Sequence, residues 1–179
     1  GTAQGNAQSG NGNTLIFPTG NITADQLFHL VATRNLGTCG TVIDTVKVAL
    51  VCLAEGVDDV DAMSQWHMRV NADGTRITPQ PRLPPCRQIA VPTTLSGAEF
   101  SDLGGCTDTR NGTKQAYTGS HIGAAAVILD PRITLHTPQR LWLSTGVRAL
   151  DHAVESLSSI NAQPLVDATS VRALSLLGR

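Results

Sequence analysis

The apolar positions of this chain fall into clusters of two kinds. Between Thr41 and Gly56, in TVIDTVKVALVCLAEG, Val42, Ile43, Val46, Leu50 and Leu53 recur at three- and four-residue steps. That spacing predicts a helix with one buried face, and Gly56 stands where a left-handed C-terminal cap is expected. Thr23 and Gln26 form a T-x-x-Q capping box, which predicts a helix from Ala24 to about Arg34 with Leu27, Leu30 and Val31 turned inward. Two more helices are predicted near the end, one from Thr145 to about Ser158 and one from Pro164 to about Leu177, stopped by Gly178. Thr137-Pro138 reads as a cap followed by proline at a first helical position.

Short continuous apolar runs predict strands. They are Thr14–Phe17, then Gln88–Val91 ending at Pro92, then Ala126–Leu129 ending at Asp130-Pro131. The last two are expected to be buried, and Lys114–Thr118 is a further strand candidate. Gly37–Gly40 and Asn71–Gly74 are turns, and residues 58–70 hold a short helix. Thr78–Pro85 carries Pro79, Pro81, Pro84 and Pro85 and must be loop. Thr93–Gly112 is polar and Gly-rich, which predicts an irregular segment open to solvent or ligand. Residues 1–13 have the composition of a flexible tail.

Elements therefore run from mixed α/β to helix only. This order predicts an α/β fold, a partial Rossmann-like nucleotide-binding layer followed by the start of an all-helical domain. The expected divisions are a divergent tail and N-terminal segment (1–36), an α/β dinucleotide-binding-like region (37–136) and the first helices of a helical domain (137–179).

Composition narrows the partners. A net charge of -1, with 13 Lys and Arg against 14 Asp and Glu, offers no basic excess for a phosphate backbone or anionic membrane. Hydrophobic residues make up 41 % and aromatics 3 %, so the core rests on aliphatic side chains, as in parallel sheets covered by helices. Cys39, Cys52, Cys86 and Cys106 form no C-x-x-C pair. They read as free thiols of a cytoplasmic protein rather than a zinc or disulfide framework. No apolar run is long enough to span a bilayer.

Three stretches carry candidate chemistry. In GTCGTVIDTVK, Gly37–Lys47, a glycine turn leads into a helix N-terminus, a ready anion site, although glycine before a helix is also common punctuation. In VPTTLSGAE, Val91–Glu99, the Thr93 and Thr94 hydroxyls follow a strand, where open α/β sheets bind ligands. An ordinary Pro-Thr-Thr turn is the simpler reading of that stretch alone. In TGVRALDHAVE, Thr145–Glu155, Arg148 and His152 are one helical turn apart on one face. Arginine suits a bidentate carboxylate grip and histidine side chains titrate near neutrality. A guanidinium cannot ligate a cation, and Asp151 points about 100° away from His152 around the helix. The plainer alternative pairs Arg148 with Asp151 or Glu155 on a solvent face.

Together these stretches resemble the iron-containing alcohol dehydrogenase superfamily. Its first motif, G-G-G-S/T-x-x-D-x-x-K, is matched by Gly40, Thr41, Asp44 and Lys47, with Thr38 and Cys39 in place of two glycines. Its P-T-T motif is matched by Thr93 and Thr94, in the shorter spacing seen in maleylacetate reductases, with Ala98 where those carry serine. Its lysine, sixteen residues before the aspartate of (I/L)-x-D-P, is matched by Lys114 and Asp130. In its T-G-x-D-A-L-x-H-A-x-E motif, His152 is kept and Arg148 replaces the metal-binding aspartate. The chain thus resembles a truncated member of the maleylacetate reductase-like branch without the metal ligands.

That resemblance implies a metal-independent, NAD(P)H-dependent reductase of a small carbonyl or enone carboxylic acid. Gly40, Thr41, Asp44, Thr93, Thr94 and Lys114 would bind the cofactor, His152 would donate a proton and Arg148 would anchor the carboxylate. A homo-oligomer or a complementary partner chain would cover surface that missing elements leave apolar. The alternative is a truncated, non-redox remnant, repurposed as a cofactor-free lyase or cyclase or as a binding or assembly subunit.

Overall fold

The computed structural model describes residues 39–178, with side chains from residue 42 onward. The expected strand Thr14–Phe17, the helix Ala24–Arg34 and the first half of the Gly37–Gly40 turn lie outside the described residues.

Helix α1, Cys39–Glu55, is the centre of the fold. It begins two residues earlier than the sequence suggests and takes Gly40 into its first turn. The single buried face expected of it is too narrow: Ile43, Val46, Lys47, Val48, Ala49, Leu50, Val51 and Cys52 are all buried. The reason is that other elements pack around it. Val46 to Cys52 pack with Met63, Cys106, Tyr117 and Ile122, and Ile43 packs with Ala90. At its C-terminus Gly56 has φ +65°, and the Val57 N–H donates to the Cys52 carbonyl at 3.0 Å. This is the expected left-handed closure, and it drops Val57 onto the core.

The predicted short helix is split in two, α2 at Val60–Met63 and a 3₁₀ turn at Ser64–Trp66. Asp59 caps α2 by accepting from the Ala62 N–H at 2.8 Å. Strands β1 (Arg69–Val70) and β2 (Arg76–Ile77) pair antiparallel across the Asn71–Gly74 turn. Strand β3 (Ile89–Ala90) runs parallel to β6 (Ala126–Val127), with Ile89 opposite Ala126 and Ala90 opposite Val127. Strands β4 (Leu103–Asp108) and β5 (Thr113–Thr118) form an antiparallel hairpin with Leu103 opposite Thr118 and Asp108 opposite Thr113.

Three features correct the sequence reading. The Thr93–Gly112 stretch is not irregular throughout, because it contains β4. The inward positions of that strand are Gly104, Cys106 and Asp108, a set with no apolar period to detect. Gly104 is required there: a β-carbon at this position would stand 2.9 Å from Lys47 Cβ and 3.0 Å from the Asp44 carbonyl. Second, β3 and β6 are only two residues each and are not fully buried, with Ile89, Ile128 and Leu129 exposed. Each has a single strand neighbour among the described residues, so little covers its side chains. Third, the helix expected from Thr145 begins at Gln139.

After the short helix α3 (Pro131–Thr134), only α4 (Gln139–Leu157) and α5 (Pro164–Leu177) follow. Pro138 is the N-cap of α4 rather than its first residue. Thr137 does not cap it and instead donates through Oγ1 to the Thr93 carbonyl at 2.7 Å. The two long helices pack on each other, and Ala153 on the first and Ser170 on the second are buried. Leu143, Val147, Leu150, Val154 and Leu157 form an exposed stripe at alternating four- and three-residue steps. No helix among the described residues is long and apolar enough to cross a membrane. Cys52, Cys86 and Cys106 are free, and burial pushes the Cys52 thiol up to about 12 and that of Cys106 to about 11.

Arg110 ties the hairpin to α2 by donating to Asp108 Oδ2 at 2.9 Å and to Asp61 Oδ1 at 2.7 Å. Its hydrogen bonds hold the Asp108 carboxyl below its ordinary value of 3.8. A carboxylate lowered in the folded state adds stability that is complete above the unfolded pKa and is lost as pH falls through the folded one. Arg110→Ala should therefore lower Tm at neutral pH, and the gap to wild type should narrow as the pH is taken below 3.8. A gap that stays constant in acid would refute this role.

Candidate active site

The site is assembled around the N-terminal half of α1. Gly40 and Thr41 lie in its first turn, where the backbone N–H groups lack helical acceptors and the dipole end is positive. One turn later stands Asp44, whose side chain is 24 % exposed. Its Oδ1 accepts from Lys47 Nζ at 3.1 Å, while Oδ2 turns towards β4. Gly105 leaves room there: a β-carbon on it would stand 3.8 Å from Asp44 Oδ2 and 3.6 Å from Lys114 Cε. Asp44 and Lys114 therefore flank Gly105, and Lys114 is exposed on β5. A negative and a positive side chain beside a position with no side chain suit a ligand carrying both hydroxyls and phosphate.

A second group of residues lies on the loop after β3. Thr93 and Thr94 are 2 % and 5 % exposed, more deeply placed than ligand-facing hydroxyls on an open loop would be. The loop is held from α4. Thr137 reaches the Thr93 carbonyl, and the Leu95 N–H donates to Thr145 Oγ1 at 3.3 Å. Gly97, at φ +70°, turns the chain into a 3₁₀ turn, Ala98–Phe100. Within it Glu99 is 7 % exposed, and its buried Oε2 has no hydrogen-bond partner among the described residues. Glu99 ends the threonine motif but carried no separate signal of burial in the sequence.

Arg148 and His152 stand on α4, three and seven residues beyond Thr145. At 1.5 Å of rise per residue they are roughly 4.5 Å and 10.5 Å further along, on nearly the same face. The face that Thr145 presses against the threonine loop thus continues into Arg148 and His152. Neither is linked directly to Lys114 or to Thr93. Arg148 donates to Asp151 Oδ2 at 2.7 Å, and His152 Nδ1 lies 3.6 Å from Glu155 Oε2, all four side chains being about half exposed or more. The Arg148–Asp151 pair is the plainer arrangement that the sequence allowed. Exposed pairs of this kind are worth roughly 0–1 kcal/mol.

This donor set does not suit a divalent cation. Arg148 sits one turn from His152 and is always cationic. Among the described residues, no group of three His, Cys, Asp or Glu side chains comes together to hold a metal.

Reductive methylation followed by peptide mass analysis tests the contrast between the two lysines of the chain. Lys114 should react readily and Lys47, which is 0 % exposed, should be protected in the folded protein. Equal labelling would contradict the packing around α1.

The chain is similar to known proteins in both sequence and fold. Residues 39–131 match the family model described as iron-containing alcohol dehydrogenase. Dehydrogenase ALT3 of Alternaria alternata is 41 % identical over 122 residues, covering 68 % of this chain and 30 % of that protein. The maleylacetate reductase of Burkholderia cepacia is 33 % identical over 90 residues, covering 50 % of this chain and 25 % of its own. The crystal structure of sulfoacetaldehyde reductase from Bifidobacterium kashiwanohense in complex with NAD+ superposes with a TM-score of 0.62 at 28 % identity, covering 80 % of this chain and 35 % of that one. The chain therefore spans about a third or less of the length of these relatives.

Proposed function

Because this chain belongs to the iron-containing alcohol dehydrogenase family, we propose that it serves an NAD(P)H-dependent reductase of a small carbonyl or enone carboxylic acid, working without a metal. The observation that supports this most is the placing of Asp44 and Lys114 on either side of Gly105, a strand position with no side chain. It lies beside a threonine loop pinned to the helix that bears Arg148 and His152.

The backbone of Gly40 and Thr41 would hold the cofactor pyrophosphate at the positive end of α1. Asp44 and Lys114 would hold the adjoining ribose, and the Thr93–Thr94 segment the nicotinamide end. When bound, the cofactor supplies a hydride to the electrophilic carbon of the substrate. Arg148 would exchange Asp151 for the substrate carboxylate and so orient that carbon. His152 would give a ring proton to the atom on which negative charge collects, which general acid catalysis requires. Glu155 Oε2 lies 3.6 Å from His152 Nδ1 on the same helix.

NADH fluorescence should be enhanced or quenched saturably as the protein is added, and NADH should be consumed with keto or enone acids. Failure of the wild-type protein to bind either dinucleotide at high concentration would sink the reading. His152→Ala should lower kcat by about a hundredfold or more and leave dinucleotide affinity unchanged. Arg148→Ala should instead raise KM for the acid by roughly tenfold. Unaltered kinetics in either variant would remove that residue from the mechanism.

The exposed stripe from Leu143 to Leu157 has the spacing of a helix–helix seam. It supports assembly into a homo-oligomer or with a complementary chain, in a cytoplasmic setting. Sedimentation showing a lone monomer at high concentration would contradict assembly with itself.

A further inference from the structure

The most heavily buried charge among the described residues is unused by the mechanism above. Lys47 is 0 % exposed. An ammonium has three donors, and all three are spent: on Asp44 Oδ1 at 3.1 Å, on the Ala98 carbonyl at 2.7 Å and on the Leu103 carbonyl at 2.7 Å. The two carbonyls bracket the segment that leaves the threonine loop, carries Glu99 and enters β4. One point charge therefore fixes three things at once: Asp44 on α1, the exit of the Thr93–Thr94 loop, and the first residue of the strand that carries Gly105. Gly104 lets β4 approach the Lys47 stem, since a β-carbon there would meet Lys47 Cβ at 2.9 Å.

We propose that Lys47 is a positioning residue for dinucleotide binding. It touches no ligand. It holds Asp44 with Oδ1 engaged and Oδ2 presented at Gly105, and it sets the distance from the helix N-terminus to the threonine loop. This inference rests on the dinucleotide-binding reading given above.

The test compares NADH affinity and its salt dependence in wild type, Lys47→Met, Lys47→Arg, Gly104→Ala and Lys114→Met. Folding of each is verified by circular dichroism, in the cold and with a stabilising osmolyte where needed. Lys47→Met should weaken NADH binding about 10- to 100-fold, as a misplacement of about 1 Å would. It should keep the wild-type dependence on ionic strength, because its charge faces no phosphate. Lys47→Arg should recover part of the affinity. Lys114→Met should flatten the salt dependence, because an exposed charge that meets the ligand is screened. Gly104→Ala keeps every charge and should weaken binding in the same direction as Lys47→Met, by a smaller factor.

A folded Lys47→Met or Gly104→Ala protein that binds NADH as tightly as wild type would overturn the proposal. So would a flattened salt dependence in Lys47→Met, which would make the contact direct. Loss of NADH binding by wild type itself is a different outcome and removes the dinucleotide reading on which the inference stands.

Discussion

A buried ammonium is expensive to strip of water, by several kcal/mol even after relaxation. It persists in a fold only where its donors are satisfied in fixed places. Lys47 meets that condition with one carboxylate and two carbonyls, and the rest of the described structure is arranged to make it possible. Strand β4 must run close enough to α1 to offer the Leu103 carbonyl, which only a glycine at 104 permits. The loop after Thr94 must turn sharply at Gly97 so that the Ala98 carbonyl points inward. The helix must be buried on most of its circumference, because the ammonium lies on a side that an ordinary amphipathic helix would expose.

The candidate site inherits its rigidity from this arrangement. Asp44, Gly105 and Lys114 lie on elements fixed to one another, a helix and a hairpin, rather than on free loops. The threonine loop is held from both sides, by Lys47 through Ala98 and by α4 through Thr137 and Thr145. Arg148 and His152 are less constrained. They stand beyond the last such contact on α4, half exposed and paired only with their own helix. The side of the site around Asp44, Gly105 and Lys114 is thus preorganised, while the side bearing Arg148 and His152 is open.

Much of this was legible in the residues. The helix ending at Gly56, the strand near Lys114–Thr118 and the helix from Pro164 to Leu177 all follow from period and punctuation. The order of motifs was sufficient to place the family. Other features could not be read for physical reasons. Strand β4 presents Gly104, Cys106 and Asp108 inward, so alternation of apolar and polar residues never appears. The acceptors of Lys47 are backbone carbonyls at Ala98 and Leu103, and a carbonyl leaves no trace in residue identity. Lys47 could be matched to a motif, but what it binds required the fold. The exposure of Ile128 and Leu129 reversed an inference that is sound for a strand with neighbours on both sides and fails for a two-residue pair. The real start of α4 was hidden because Thr137, which looks like a cap, spends its hydroxyl on the threonine loop.

The chain holds only two lysines, Lys47 and Lys114, so selective ¹⁵N labelling of lysine gives two ammonium signals, assigned by Lys114→Met. Proton exchange of each with water, measured by NMR near neutral pH, reads the central constraint directly. The predicted result is a Lys47 ammonium whose protons exchange slowly enough to be observed, beside a Lys114 ammonium that exchanges too fast to see. Two fast-exchanging ammonium groups would contradict the buried three-way clamp and everything built on it.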